Sequence, residues 1–256
     1  MESAGNLIKE RVVEISDHIK NHKSLLKNDG EFGYYLAGLI EGNGEIKKNS
    51  IEIKYNKKDI QAAYWLKKRI GAGKVKSDFL NPNNYIFILD NLKAFHLILQ
   101  LINGKFITNE KIKEWKETNP TVGWEYIPFK LNNTYYLTGY FEGKGNLNIK
   151  KEERTIGLEC IIEKTSLEIL KKLKNEFGGE IDLLNNLYKS SSFYLAKSFI
   201  DYFDKYTIVS MKYIEYLKWR DCYRIIQRKE FMTEKGLDKI DKLKKSLLDL
   251  KSSYSN

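Results

Sequence analysis

Cysteine is scarce in this chain. Two residues in 256, Cys160 and Cys222, cannot build the disulfide framework of a small secreted domain, and a reducing compartment fits them. Proline is scarce too. Two of the three, Pro120 and Pro128, fall in ETNPTVGWEYIPFKLNN (117–133), which reads as a linker. The longest apolar run, FHLILQLI (95–102), is far too short to cross a bilayer, so no membrane partner is expected. Histidine occurs three times. His18 and His22 are four apart, but no cysteine or acid is placed to complete a zinc site with them. The N-terminus has no signal-peptide core, and Glu10, Glu14 and Asp17 go against a transit peptide. Arginine is rare as well: taking six Arg from the 44 Lys plus Arg leaves 38 Lys. With abundant Asn, Ile and Tyr, this bias looks like the imprint of an A·T-rich genome. A mitochondrion or another organelle is therefore the expected location and coding origin.

What the chain has in quantity is positive charge, +10 overall, on a composition 42% apolar. That apolar content supports a folded protein, and the charge calls for an anionic partner such as nucleic acid. One motif is present twice. YYLAGLIEGNG (34–44) returns as YYLTGYFEGKG (135–145), identical at seven of eleven positions. An offset of 101 residues is too long for a solenoid repeat and marks a duplicated domain. Gly38 and Gly42 share one helix face without side chains, as do Gly139 and Gly143. Two such helices can approach closely through these four glycines, which makes them candidate interface residues.

The flanks repeat in the same order. A strand-like segment (45–56) precedes a helix (59–70), strands at 74–80 and 84–89, and a helix (92–102). In the second half, 146–164 reads as two strands and 166–177 as a helix. EIDLL and the segment around SSFYLA read as strands, and 197–206 as a helix. Ile8, Val12, Ile15 and Ile19 give residues 5–28 the period of an amphipathic helix, and KGLDKIDKLKKSLLDLKS (235–252) also has helical period. The expected division is an N-terminal extension (1–29), a first domain (30–120), a linker (121–133), a second domain with C-terminal helices (134–245) and a tail (246–256). The last five or so residues are expected to be disordered.

Alternation places Lys47, Lys54, Lys74 and Lys76 on one face of the first sheet with Glu45 and Glu52, and Ile51, Ile53 and Val75 on the other. In the second sheet Ile156, Leu158, Cys160 and Ile162 form the core face. Glu159 lies opposite, as do Glu180 and Asp182 against Ile181 and Leu183. Lys150 completes the candidate nucleic-acid contacts.

LAGLIEGNG (36–44) and LTGYFEGKG (137–145) resemble the two motifs of single-chain, organellar LAGLIDADG homing endonucleases. WRDCYRIIQRKEFMTEKGLDKI (219–240) resembles the C-terminal helix pair of organellar members. The resemblance covers roughly residues 30–245. It implies an α+β fold in which an αββαββα unit is duplicated with pseudo-symmetry. Two saddle-shaped antiparallel sheets would sit over a nucleic-acid groove, with the motif helices at the interface of a monomer. It also implies that the acid at the eighth motif position binds divalent metal beside a scissile phosphate.

This chain has Asn43 and Lys144 at those positions. An amide offers a neutral carbonyl, and an ammonium offers only donors, whereas Mg²⁺ normally uses carboxylates. Glu41 and Glu142, at the sixth position, are the possible residual acids; their other role is structure at the helix ends. No metal cofactor is expected. The expected function is nucleic-acid binding without cleavage, with RNA favoured over duplex DNA. Such a protein could be a maturase-like factor or a recruited component of an organellar ribonucleoprotein such as the mitochondrial ribosome. The alternative is an active endonuclease that cuts double-stranded DNA with Mg²⁺.

Overall fold

The computed structural model describes residues 26, 28–120, 123–152 and 155–252. The expected N-terminal helix falls almost wholly outside them, as do His18, His22 and the last four residues.

The first half begins with α1 (Asp29–Asn43), whose Asn28 side chain accepts from Glu31 N at 2.8 Å. Residues Phe32 to Gly42 of this helix are nearly all buried, because it is apolar around its whole circumference. Next come β1 (Gly44–Lys47), β2 (Ser50–Asn56), α2 (Ile60–Ile70), β3 (Lys74–Ser77), β4 (Asn84–Leu89) and α3 (Leu92–Ile102). Gly71 ends α2 in the left-handed conformation, φ 78°, which glycine adopts without steric cost. The second half repeats the series as α5 (Tyr136–Lys144), β5 (Gly145–Lys151), β6 (Ile156–Ile162), α6 (Leu167–Phe177), β7 (Glu180–Asp182), β8 (Leu187–Ser190) and α7 (Phe193–Lys205).

Both sheets are antiparallel, in the orders β1-β2-β4-β3 and β5-β6-β8-β7. Ile51 pairs with Leu89 and Ile53 with Phe87 on the core side of the first sheet, against α1 and α3. Leu147 pairs with Cys160, and Ile162 with Tyr188, in the second. The opposite faces carry Lys54, Lys74 and Lys76 in the first sheet and Lys150 and Lys189 in the second.

Among the described residues, beyond the αββαββα series, the first half carries one helix and the second carries two, the expected C-terminal pair. α4 (Asn109–Thr118) lies where sequence patterning marks no element, and its Glu114 side chain accepts from Ile46 N at the free edge of β1. α8 (Lys212–Gln227) takes the same place on β5, where Trp219 Nε1 donates to Asn148 O at 3.2 Å. A sheet edge left open is a template for unwanted pairing, and these helices cover it. α9 (Glu234–Ser252) runs unbroken past residue 246, so the expected tail is largely helix.

Two other expectations change. Residues 193–196 of the SSFYLA segment open α7 rather than a strand, because Ser192 caps that helix by accepting from Leu195 N. The strand is Leu187–Ser190. Leu183 leaves the core face, since β7 stops at Asp182, and is 65% exposed. Both cysteines are buried and free; burial raises both thiols, Cys222 to about 12.

Candidate nucleic-acid interface

α1 and α5 cross with backbone touching backbone. A Cβ built on Gly38 would lie 1.9 Å from Tyr136 O, and one on Gly139 would lie 2.0 Å from Tyr35 O. At Gly42 the nearest atom would be Tyr140 O, 2.9 Å away, and at Gly143 it would be Asn43 Cβ, 2.8 Å away. The crossing therefore brings together the two helix ends, which carry Asn43 and Lys144.

The acids at the sixth motif position are held by protein groups on every side. Glu41 accepts from Ile107 N at 3.0 Å, from Thr108 N at 2.5 Å, and from the Tyr136 hydroxyl of the other motif. Glu142 mirrors this. It accepts from Val209 N at 2.6 Å, from Ser210 N at 3.2 Å, and from the Tyr35 hydroxyl at 3.0 Å. Each carboxylate thus serves the start of the edge-covering helix of its own half and ties it to the other half's motif. Asp59 adds a further link by accepting from Met211 N at 2.9 Å.

Burial outweighs these hydrogen bonds at Glu142 and lifts its carboxyl from 4.5 to about 7; Glu41 is also raised by burial. The proton is then held more tightly in the folded state. The resulting stability is fully present below about pH 4.5 and is lost as pH rises through 7, up to about 3 kcal/mol. Denaturant unfolding between pH 5 and 8 is expected to show this loss, and Glu142→Gln to flatten it. An equal slope in both proteins would contradict the assignment.

Two further lysines, not marked by the strand alternation, sit at the helix base. Lys111 Nζ donates to Gly44 O at 2.9 Å and pairs with Glu114 at 2.8 Å. Lys212 Nζ donates to Phe141 O at 3.2 Å and to Gly145 O. Each places a cation at the C-terminal end of a motif helix, where the helix dipole favours it. A signal existed: Lys111 and Glu114 recur as Lys212 and Glu215 at the same 101-residue offset as the motifs.

Two cavities flank the helix base. One, of about 440 Å³, is lined by Asn43, Lys54, Asp59, Glu142, Lys212 and Lys251. The other, of about 470 Å³, is lined by Asn43, Lys54, Lys111, Glu114, Lys144 and Lys164. Asn43 therefore belongs to both, and Lys144 faces the second. Burial, then Lys164 and Lys111, depress the Lys144 ammonium. Asn43 already donates its amide to Lys54 O. Among the described residues, no group of three or more His, Cys, Asp or Glu is gathered that could hold a metal. A divalent cation does not fit the donors at the eighth motif positions: one amide oxygen is on offer there, an ammonium stands opposite, and Glu41 and Glu142 are already taken by backbone amides and tyrosine hydroxyls.

The open face of the first sheet carries all four expected lysines. Lys54 and Lys76 flank Ile86, and Lys74 flanks Ile88 opposite Glu52. Lys47 pairs with Glu52 at 2.7 Å and Lys74 with Asp90 at 2.7 Å, so some of this charge is already matched. Among the described residues, Lys54 and Lys76 make no ion pair. On the second sheet Glu159 is only 3% exposed, held between Lys150 at 3.1 Å and Lys189 at 2.8 Å. Its negative charge is covered before any phosphate arrives. Glu180 and Asp182 share that face.

Duplicated four-stranded sheets joined by a glycine-crossed helix pair define a homing-endonuclease fold, and the chain belongs to the LAGLIDADG endonuclease family. The family model described as "LAGLIDADG endonuclease" matches residues 137–223. The "uncharacterized cox1 intron-2 37.2 kDa protein" of Schizosaccharomyces pombe is 34% identical over 94% of this chain and 83% of its own length. The "probable intron-encoded endonuclease 4" of Neurospora crassa is 23% identical over 98% of this chain, which spans 49% of that protein. Among solved structures, the LAGLIDADG homing endonuclease I-GzeII in complex with its DNA target superposes with a TM-score of 0.65. That match has 15% identity and covers 83% of this chain and 96% of that one.

Proposed function

We propose that this protein grips nucleic acid through the open faces of its two sheets and does not cut it. The observation that carries the reading is the pair Asn43 and Lys144 at the helix base, with Glu41 and Glu142 fully engaged elsewhere. Lys144 supplies at its position the positive charge that a cation would bring, so phosphate can be met directly. The lysines of the first sheet, Lys54 and Lys76 above all, and Lys150 and Lys189 of the second, supply the sequence-independent component of the grip. The two halves, each with its own four-stranded sheet, take one stretch of nucleic acid each. An organelle-encoded origin agrees with the intron-encoded names of the relatives.

Fluorescence anisotropy with a 40-base-pair DNA duplex and an RNA duplex of the same sequence, at 50 and 200 mM salt, tests this. Affinity is expected to fall about 10-fold or more between the two salts, with EDTA and Mg²⁺ giving the same curve. No nicking is expected with Mg²⁺ or Mn²⁺. Equal binding at both salts removes phosphate contact from the reading, and metal-dependent nicking restores the active-endonuclease alternative. The RNA preference drawn from the lost carboxylates stands if the RNA duplex binds more tightly than the DNA.

A further inference from the structure

Each sheet ends in a hairpin whose tip shows two adjacent apolar side chains to solvent. Between β3 and β4 these are Phe79 and Leu80, 100% and 94% exposed. Between β7 and β8 they are Leu183 and Leu184, 65% and 95% exposed. The two tips are built alike. Asp78 accepts from Leu80 N at 3.0 Å, and Asp182 accepts from Leu184 N at 3.0 Å. In both, an aspartate at the strand end fixes the turn by bonding the amide two residues on. The second tip is secured further by Asn185, whose backbone and side chain both donate to Asp182. Neither pair packs on the core, although the neighbouring Val75 and Ile181 do.

Large side chains left in water at one tip are ordinary surface variation. The same arrangement in both halves, on the same hairpin and held by the same bond, is a repeated device. Its place is informative. β4 carries one tip's strand directly beside Lys54, Lys74 and Lys76, and β8 carries the other beside Lys150 and Lys189 through Glu159. A partner that follows this lysine row is anionic, and an anionic polymer with apolar slots along it is a stack of bases.

Resting on the nucleic-acid reading above, we propose that the two tips are wedges that enter the base stack of the bound strand or duplex, one at each end of the footprint. Phe79 and Leu80 open a base step at one end, and Leu183 and Leu184 open a second at the other, as apolar side chains do when they unstack neighbouring bases. The lysine rows bring the polymer in and set its path. The tips add a term that salt does not screen.

The test uses single reporters Phe79→Trp and Leu184→Trp in the full chain, with the same 40-base-pair DNA and RNA duplexes. At saturation, the emission added by each reporter is expected to be quenched by base stacking and shielded from acrylamide. The serine pairs Phe79→Ser with Leu80→Ser, and Leu183→Ser with Leu184→Ser, remove no buried contact and are expected to stay folded. Each is expected to weaken binding about 10-fold while leaving the dependence on salt unchanged. Reporters that stay bright and accessible at saturation, with serine variants of full affinity, overturn the wedges and leave phosphate gripping intact. A salt slope that shrinks in the serine variants also overturns them, because the tips would then act through phosphate. Failure of the unmodified chain to bind either duplex removes the underlying reading, and the wedges with it.

Discussion

Replacing Asn43 and Lys144 together with aspartate is expected to raise Ca²⁺ affinity at the helix base at least about 100-fold over the unmodified chain. The two positions close the motif helices, and the crossing at Gly143 sets the Asn43 side chain against the other helix. Two carboxylates there would supply charged oxygens to one divalent ion from both sides. Lys144 now does the reverse, adding a cation where Lys164 and Lys111 already repel it. Removing that ammonium therefore counts as much as adding the acids. Lys111 is held at the edge of the site by Glu114 and Gly44 O, and Glu114 balances part of its charge. Calorimetry with Ca²⁺ reads the gain directly. Micromolar Ca²⁺ binding by the unmodified protein, or no gain in the double variant, would sink the argument. Nicking by the double variant with Mg²⁺ would go further, showing that the rest of the pocket survives.

Gly38→Ala or Gly139→Ala is expected to destabilise the protein by at least about 3 kcal/mol, because each new methyl would overlap a backbone carbonyl. The methyl would stand 1.9 Å from Tyr136 O or 2.0 Å from Tyr35 O, and a carbonyl inside a helix cannot swing aside as a side chain can. The helices must separate. That loosens the hydrogen bonds Tyr35 to Glu142 and Tyr136 to Glu41, which reach across the same interface. For a chain of this length, the expected fall in Tm is about 6–12 °C. Gly157→Ala is the control. Its methyl would meet only Lys150 Cβ, at 3.6 Å, and should change stability by less than about 0.5 kcal/mol. A Gly38→Ala protein that melts with the control would show that the two helices do not depend on glycine contact.

The helix crossing was legible in the sequence because contact between backbones leaves a plain trace: glycines four apart, present twice. The first sheet's register was legible for a similar reason. Ile51, Ile53 and Lys54 alternate cleanly, and a slip of one residue would turn isoleucines to water. The role of Glu41 and Glu142 was not fixed in this way. An acid at a helix end reads equally well as a ligand or as an acceptor for amides, and only the position of Thr108 and Ser210 decides between them. α4 was hidden because NEKIKEWKET has little apolar periodicity; Trp115 is its one fully buried side chain. The shift of 193–196 from strand to helix turned on Ser192, whose capping oxygen outweighs the β-forming Phe and Tyr that follow.

Because α1 is apolar on all sides, its position in the chain has a cost during synthesis. The sheet and α3 of its own half can shield one flank as soon as they emerge, but the other flank waits for α5, 101 residues further along. At about 5–20 residues per second, that surface stays uncovered on the ribosome for roughly 5–20 s. During that interval a half-made chain presents the glycine-lined groove to any other half-made copy, whose α1 carries the same glycines. Duplication within one chain thus confers a stoichiometry that two separate halves would lack, since every first motif is followed by its own second one. The differing side chains of the two copies, Leu39 and Ile40 against Tyr140 and Phe141, then give the late-arriving helix a shape that an identical α1 cannot offer.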